Sequence, residues 1–443
     1  MSRKFSIPSW IPTILIAVVM YVGVAYARAQ GKISPYWYQV AQLAAVMAIS
    51  SLGLNLIYGF NGQFSLGHIG FYAVGAYGSA LITKDYLTKW SGNQVGALAW
   101  IIAVQIGLLV AFFVIGRMRL GTLRRRMRDG LAEALKPGEI GIVSAIVLLI
   151  LAAIGLAVGA AAAYGLHLLL VKGLGKLVAI TPKAVMEQVI LFLALLNGGT
   201  MAALLSYLVG LPLLRLGSDY FGIATLGFAV MMYTALQNSD MIIPTMKGAR
   251  GMVGIPRWTS WPWAFGALVF SVIVMRNLVR SSHGRAMISV REDEIAAKTM
   301  GIDVNQLKTV AFTFGGFFAG LAGGLYAHLY GFLHPSTFNM IKGFDPLIII
   351  VFGGLGSMTG TLVASFLFTF IIEGLRVILP QGFEDWRFVI YPIFLLLIML
   401  LRQQGLLGTA EWGWFRAPLP PMREIPVPDR AAARQQPAAE KES

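Results

Sequence analysis

The sequence contains no cysteine, which excludes disulfides, thiolate nucleophiles and cysteine-ligated metals. Charge is scarce too. Asp, Glu, Lys and Arg make up 12% of the 443 residues, against about 25% in a soluble domain. What charge there is leans one way, with 35 Lys and Arg against 20 Asp and Glu, a formal net charge of +15. Such a balance can signal nucleic-acid binding. Here the basic residues sit in short loops and a tail between apolar runs, which is the cytoplasmic Lys/Arg bias of membrane proteins. Nucleic acid is therefore not an expected partner.

What is abundant is apolar surface: 57% of residues are hydrophobic. On a soluble domain they would form large patches facing water, whereas a lipid bilayer accepts them. A span needs roughly 20 mainly apolar residues. Runs of that kind lie at about 11–28, 40–59, 66–83, 96–116, 140–164, 187–211, 221–237, 262–279, 308–331, 345–374 and 387–402. The expected fold is an all-α polytopic integral membrane protein with about 10–12 membrane segments. The first run, flanked by Arg3 and Lys4 and followed by no small-residue cleavage site, reads as a retained span with a cytoplasmic N-terminus.

The basic clusters at Arg117–Arg128, Arg3–Lys4 and Arg276–Lys308 agree with one topology, and Lys84, Lys89, Lys172, Lys176 and Lys183 depart from it. The run 345–374 carries Gly353-Gly354-Leu355-Gly356-Ser357 in its middle. If these glycines break it into a hairpin, the C-terminal tail lies inside, which Arg402 and the tail arginines favour. Four parts are expected. Residues 1–116 hold the first spans, and 117–182 form a basic cytoplasmic insertion plus an extra span. Residues 183–408 form a core with a cytoplasmic loop at 281–307, and 409–443 form a tail too rich in Pro, Ala, Gln and Arg to fold.

That loop is the most informative stretch. Ser289 and Glu292 have capping-box spacing, predicting a helix from Val290. Glu294 and Lys298 stand i,i+4 in the favourable order, and Gly301 is placed to cap the C-terminus. Asp303 and Gln306 make a second capping box opening the next span. A loop that merely joins two spans needs neither cap. A short, rigid, charged helix suits pushing against a soluble partner, although an ordinary interfacial helix fits the same physics.

The segment Arg291-Glu-Asp-Glu-Ile-Ala-Ala-Lys-Thr-Met-Gly-Ile-Asp303 resembles the coupling-helix loop of branched-chain amino-acid ABC transporter permeases of the LivM subfamily. Also similar to that family, and in order, are Ser51–Gly59, Gln63–Tyr77, Asp219–Phe228, Phe317–His328, Val351–Gly360 and Gln404–Gly408. There are departures. Ala296-Ala297-x-x-x-Gly301 fits the broad importer motif, but Ile295 occupies its Glu place and no Ile-x-Leu-Pro follows. The resemblance implies an ATPase-coupling role for Arg285, Arg291, Glu292, Asp293, Glu294, Ala296, Ala297, Lys298 and Gly301. It implies a bacterial inner-membrane subunit of an amino-acid importer. Its expected partners are a second, paralogous permease, two cytoplasmic ATPases that handle ATP and Mg, and an extracytoplasmic amino-acid-binding protein. Branched-chain amino acids are the family's default substrate.

Other residues carry weaker expectations. Asn61, Gln63, Ser65 and His68 begin a glycine-rich helix and are candidates to line a pathway; a tight turn with a satisfied histidine is the plainer reading. Gly316, Gly320 and Gly324 fall on one helix face, which predicts close helix contact, preferentially within the subunit. Glu187, Asp219, Asp345 and Glu373 lie near span ends, so interfacial placement explains them. That counts against the main alternative, an ion-coupled secondary transporter, which needs buried ionisable groups. His283 and His328 have no partners at metal-ligand spacing. Gly173-Leu-Gly175-Lys176-Leu lacks the first Gly and the Ser/Thr of a phosphate-binding loop. The chain is thus expected to bind no cofactor itself and to be a transport subunit rather than an enzyme. A membrane-embedded transferase, needing clustered Asp, Glu and His, is the third reading.

Overall fold

The computed structural model describes residues 10–89, 94–117, 137–173, 182–214, 216, 218–378, 393, 396, 400, 404–408 and 411–412. The arginine-rich stretch 118–136, Arg215, nearly all of the span at 387–402 and the tail beyond Trp412 lie outside these residues.

The described chain is helical almost throughout. Its first half comprises α1 (Trp10–Ala29), α2 (Pro35–Asn55), α3 (His68–Lys89), α4 (Gln94–Arg117), α5 (Pro137–Gly173) and α6 (Lys183–Leu213). Then come α7 (Ser218–Gln237), α8 (Trp261–Arg280), α9 (Ser282–Glu292) and α10 (Glu294–Thr299). The last three are α11 (Val304–Tyr330), α12 (Met340–Gly353) and α13 (Met358–Ile378). Seven of the helical stretches among the described residues are long and apolar enough to cross a bilayer. Each expected run that falls on described residues is a helix. The run at 345–374 is two helices, because Gly354 and Gly356 take positive φ (117° and 77°), which L side chains rarely adopt. At 1.5 Å per residue α12 rises about 21 Å. It meets α13 in a tight antiparallel pair, with Gly353 against Gly360.

Helix α11 is the centre of the bundle, packing against α2, α3 and α6. Lipid offers helices no hydrophobic drive to associate, so close backbone approach must hold them together. Glycine supplies it. A Cβ at Gly320 would stand 2.6 Å from the Gly198 carbonyl oxygen, and one at Gly198 would stand 2.6 Å from that of Gly75. Three helices thus cross at three glycines. Gly316 faces Ser206 and Gly324 faces Leu195 and Ser79, so the whole stripe packs inside the chain. Gly320→Val is expected to cost upward of about 1–3 kcal/mol by overpacking, read as a lower melting temperature and loss of monodisperse protein in detergent. Gly227→Ala, where an added Cβ meets nothing within 4 Å, is the control that leaves both unchanged.

The bundle has two distinct ends. At one, β1 (Met252–Val253) pairs antiparallel with β2 (Phe332–Leu333), clasping the α7–α8 and α11–α12 connections. At the other lie the loop containing α9 and α10, the end of α2 and the α12–α13 turn. Residues 404–408 return to this second end: the Leu406 N–H donates to the Phe352 carbonyl at 2.8 Å. The hairpin reading of 345–374 therefore holds. One expectation is overturned here. Glu411, assigned to an unfolded tail, is half-buried and caps α13, accepting from the Thr359 N–H (3.2 Å) and hydroxyl (2.7 Å). Free N–H groups at a helix start need acceptors, and a carboxylate supplies one whatever the composition of its flanks.

Candidate functional site

The loop between α8 and α11 is built from successive caps. Ser281 is extended, and its hydroxyl oxygen accepts the Gly284 N–H at 3.2 Å, starting α9. Gly284, Met287 and Val290 give α9 a buried face at i, i+3, i+6. Asp293 then breaks the helix and starts the next. Its carboxylate accepts from the Ile295 and Ala296 N–H groups at 2.8 and 2.9 Å. Gly301 (φ +80°) ends α10, with its own N–H on the Lys298 carbonyl (3.0 Å) and that of Ile302 on Ala297 (3.1 Å), a Schellman closure. Asp303 caps α11 through the Gln306 N–H at 3.1 Å.

The expected Ser289–Glu292 capping box does not form. Ser289 lies inside α9 with its hydroxyl donating to the Ala286 carbonyl, and Glu292 pairs with Arg291. The buried face of α9 requires helix through Val290, so the break falls at Asp293, an equally good N-cap residue. The Glu294–Lys298 pair forms at 2.9 Å, and Lys308 at the start of α11 joins it at 2.7 Å.

Two anchors fix this loop to the membrane bundle. One is the Glu294–Lys308 bridge. The other is Arg291, whose Nη1 donates to the Gly59 carbonyl at 2.7 Å. Gly59 lies in a single π-helical turn, Leu56–Phe60, that ends α2. Asn55, fully buried beside that turn, clamps it to the α12–α13 break. Its amide nitrogen donates to Ser357 O (3.0 Å) and Thr361 Oγ1 (2.9 Å), and its oxygen accepts the Gly356 N–H (3.0 Å). Near the two ends of α10, Ile295 is 76% exposed and the cap residue Met300 81% exposed. Ala297 faces the bundle and is buried, while Ala296, Lys298, Gly301 and Arg285 are exposed. Hydrogen bonding to Lys308 holds the Glu294 carboxyl below its ordinary value of 4.5, against the effect of partial burial and with help from Lys298. A lowered folded-state pKa means that the bridge stabilises the loop above that ordinary value and is lost as pH falls through the lower one. Glu294→Gln is expected to abolish this acid-induced loosening, measured by amide hydrogen exchange of the loop at falling pH.

The four candidate pathway residues do not form one site. All are buried on the irregular segment 61–67 or at the start of α3. This segment runs back into the bundle: the His68 imidazole Nε2 sits 2.9 Å from the Ser50 carbonyl, well above the end of α2. Irregular backbone at such depth is tolerated only where protein covers it, and α7 does so, with the Thr225 hydroxyl accepting the Leu66 N–H at 3.0 Å. Asn61 and Gln63 line a cavity of about 190 Å³ beside Arg291, Glu294 and Lys308, whereas Ser65 and His68 are not among its lining residues. A second cavity, of about 130 Å³, is lined by Tyr72, Tyr326, Lys342, Asp345 and Glu373, among others. Asp345, near the start of α12, is buried within the protein, with Lys342 at 3.4 Å. His328 is also buried and satisfied, held by Thr83 Oγ1 (2.9 Å) and the Gly324 carbonyl (2.7 Å).

A glycine-seamed bundle of helices long and apolar enough to cross a bilayer, with a capped and exposed helix in the loop at one end, defines a polytopic α-helical membrane protein. The family model for the branched-chain amino acid transport system permease component matches residues 36–401, and the chain belongs to that family. It is 31% identical over 243 residues to the high-affinity branched-chain amino acid transport system permease protein LivM of Escherichia coli (strain K12), covering 47% of this chain and 55% of that protein. It is 25% identical over 179 residues to the permease protein LivH of the corresponding system of Salmonella typhimurium, covering 40% of this chain and 55% of that protein. The autoinducer 2 import system permease protein LsrC of Enterobacter sp. (strain 638) is 28% identical over 204 residues, covering 42% and 58%. The chain spans about half the length of the LivM and LivH relatives it matches. No solved structure matches it significantly.

Proposed function

We propose that this chain forms half of the membrane channel of an ATP-driven importer for branched-chain or related amino acids, in a bacterial inner membrane. The observation that carries this reading is α10: a capped helix, bridged to α11 through Glu294 and preceded by α9, which Arg291 ties to the end of α2, with Ile295 and the C-terminal cap residue Met300 left exposed. A connector has no use for that rigidity, whereas a partner that closes on ATP can move the bundle through it. In this reading ATP and Mg are bound by two separate ATPase subunits on the α10 side. A paralogous permease completes the channel, and an extracytoplasmic binding protein delivers the amino acid near the β1–β2 clasp. The ion-coupled alternative has less support, because the buried carboxylate of Asp345 already has Lys342 beside it.

The test is purification of the tagged chain from its native host, followed by reconstitution of the complex with its binding protein into liposomes. Leucine uptake should require Mg-ATP on the α10 side and persist with a protonophore. Uptake without ATP that collapses with the protonophore would overturn the proposal.

A further inference from the structure

The cavity at the loop end has a chemically mixed lining: the polar and charged Asn61, Gln63, Arg291, Glu294 and Lys308, and the apolar Phe64, Leu214, Leu216 and Phe221. Asn61 is 1% exposed, yet neither its amide nitrogen nor its oxygen has a partner among the described residues. Gln63 is 7% exposed and its amide oxygen is likewise unpartnered. Buried amides are ordinarily satisfied, and each that is not calls for an explanation. The unused groups are one amide nitrogen and two amide oxygens, next to the Arg291 guanidinium, held by Gly59 and Glu292, and to one ammonium and one carboxylate that bridge each other at 2.7 Å. This set suits a small molecule that carries both charges and an apolar body.

We propose that this cavity binds a zwitterionic α-amino acid with an apolar side chain, entering from the cytoplasm, and that occupancy restrains the coupling loop. The inference rests on the importer reading for its orientation and its solute. The ligand carboxylate accepts from the Asn61 amide and from Lys308, and its ammonium donates to Gln63, Asn61 and Glu294. The side chain packs against Phe64 and Leu214. Because the cavity is walled jointly by segment 61–64 and by Val290, Arg291 and Glu294, a bound molecule favours the arrangement in which loop and bundle are together. By linkage, any loop movement needed for transport is then opposed. Imported amino acid would in this way slow further import.

The experiment uses the purified complex without its extracytoplasmic binding protein, with L-leucine, leucinamide and isocaproate as probes. L-leucine should raise the melting temperature and lower ATPase turnover severalfold, whereas leucinamide, lacking the carboxylate, and isocaproate, lacking the amine, should do neither. Asn61→Leu should abolish the leucine response without lowering the melting temperature of the unliganded complex, since it removes an unsatisfied buried amide. Gln63→Leu is the second variant, expected to weaken binding about tenfold, the equivalent of one lost hydrogen bond. No response to leucine, an equal response to all three probes, or a response that survives both substitutions overturns the inference and leaves a water-filled cavity. ATP-driven uptake by the same complex, reconstituted into liposomes with its binding protein added back, separates the two claims. Uptake without a leucine response removes the regulatory site alone. A leucine response abolished by Asn61→Leu, with no ATP-driven uptake, removes the importer reading and keeps the binding site.

Discussion

Replacing Ile295 and Met300 together by glutamate is expected to leave a folded, membrane-inserted protein that no longer retains ATPase subunits or imports amino acid. Both side chains are more than three-quarters exposed, so folding should hardly register the change; surface substitutions of this kind stay within about 0.5 kcal/mol. An interface would register it strongly. Apolar anchors that fill a partner's pocket contribute about 2 kcal/mol or more each. Losing both weakens association by roughly a thousandfold. Co-purification from the native host and Mg-ATP-dependent leucine uptake read the effect, with the melting temperature of the isolated chain as the folding control. A double variant that keeps its ATPase subunits would show that α10 is an ordinary interfacial helix.

The second large effect is expected at Asn55, where the account predicts uncoupling rather than dissociation. Asn55→Leu keeps the branching at the γ carbon but strands the Gly356 N–H and removes a donor from the Ser357 carbonyl and the Thr361 hydroxyl, all in the interior. Stranding a buried polar group costs about 1–3 kcal/mol. The consequence is mechanical as well as energetic. Arg291 hangs on Gly59, Gly59 lies in the π-turn, and Asn55 ties that turn to the α12–α13 break. With the tie cut, ATPase subunits should still bind α10 and hydrolyse ATP, but leucine uptake per ATP should fall steeply. Equal loss of hydrolysis and uptake, with retained subunits, would contradict a transmission role. Arg291→Lys should show a milder version, because a lysine ammonium lacks the planar fork that spans Gly59 and Glu292 at once.

Most of the helical layout was legible in the sequence because lipid imposes a simple rule: each span must be long, apolar and internally hydrogen-bonded. The break at Gly353–Gly356 was legible for the same reason, since glycines interrupt an otherwise continuous span. Gly301 and Asp303 were read correctly as caps because capping is local and short-range. Ser289 was misread because the competing signal, the buried face of Gly284, Met287 and Val290, belongs to a helix whose partner surface is distant in sequence. Glu411 was misread because composition describes the flanking tail and not one carboxylate that finds a helix start more than 50 residues away. Asn55 and Gly59 stood inside a motif shared with the family, yet their role depends on partners some 230 to 300 positions distant. Nothing in a single sequence reports such pairings. Asn61 and Gln63 were grouped with Ser65 and His68 as polar residues at a glycine-rich helix start. The turn into α3 separates them, leaving two beside the coupling loop and two buried beyond it.

The claim on which the rest depends is that α10 is the surface an ATPase grips. The absence of native cysteine makes a direct test possible, since Ile295→Cys creates a single thiol. In membranes from the native host, a photoactivatable maleimide at that position should cross-link to one ATPase subunit, and the yield should change when Mg-ATP is added. A thiol at 295 that is labelled freely by a membrane-impermeant maleimide in inside-out vesicles, and yields no ATPase adduct with or without nucleotide, would contradict it.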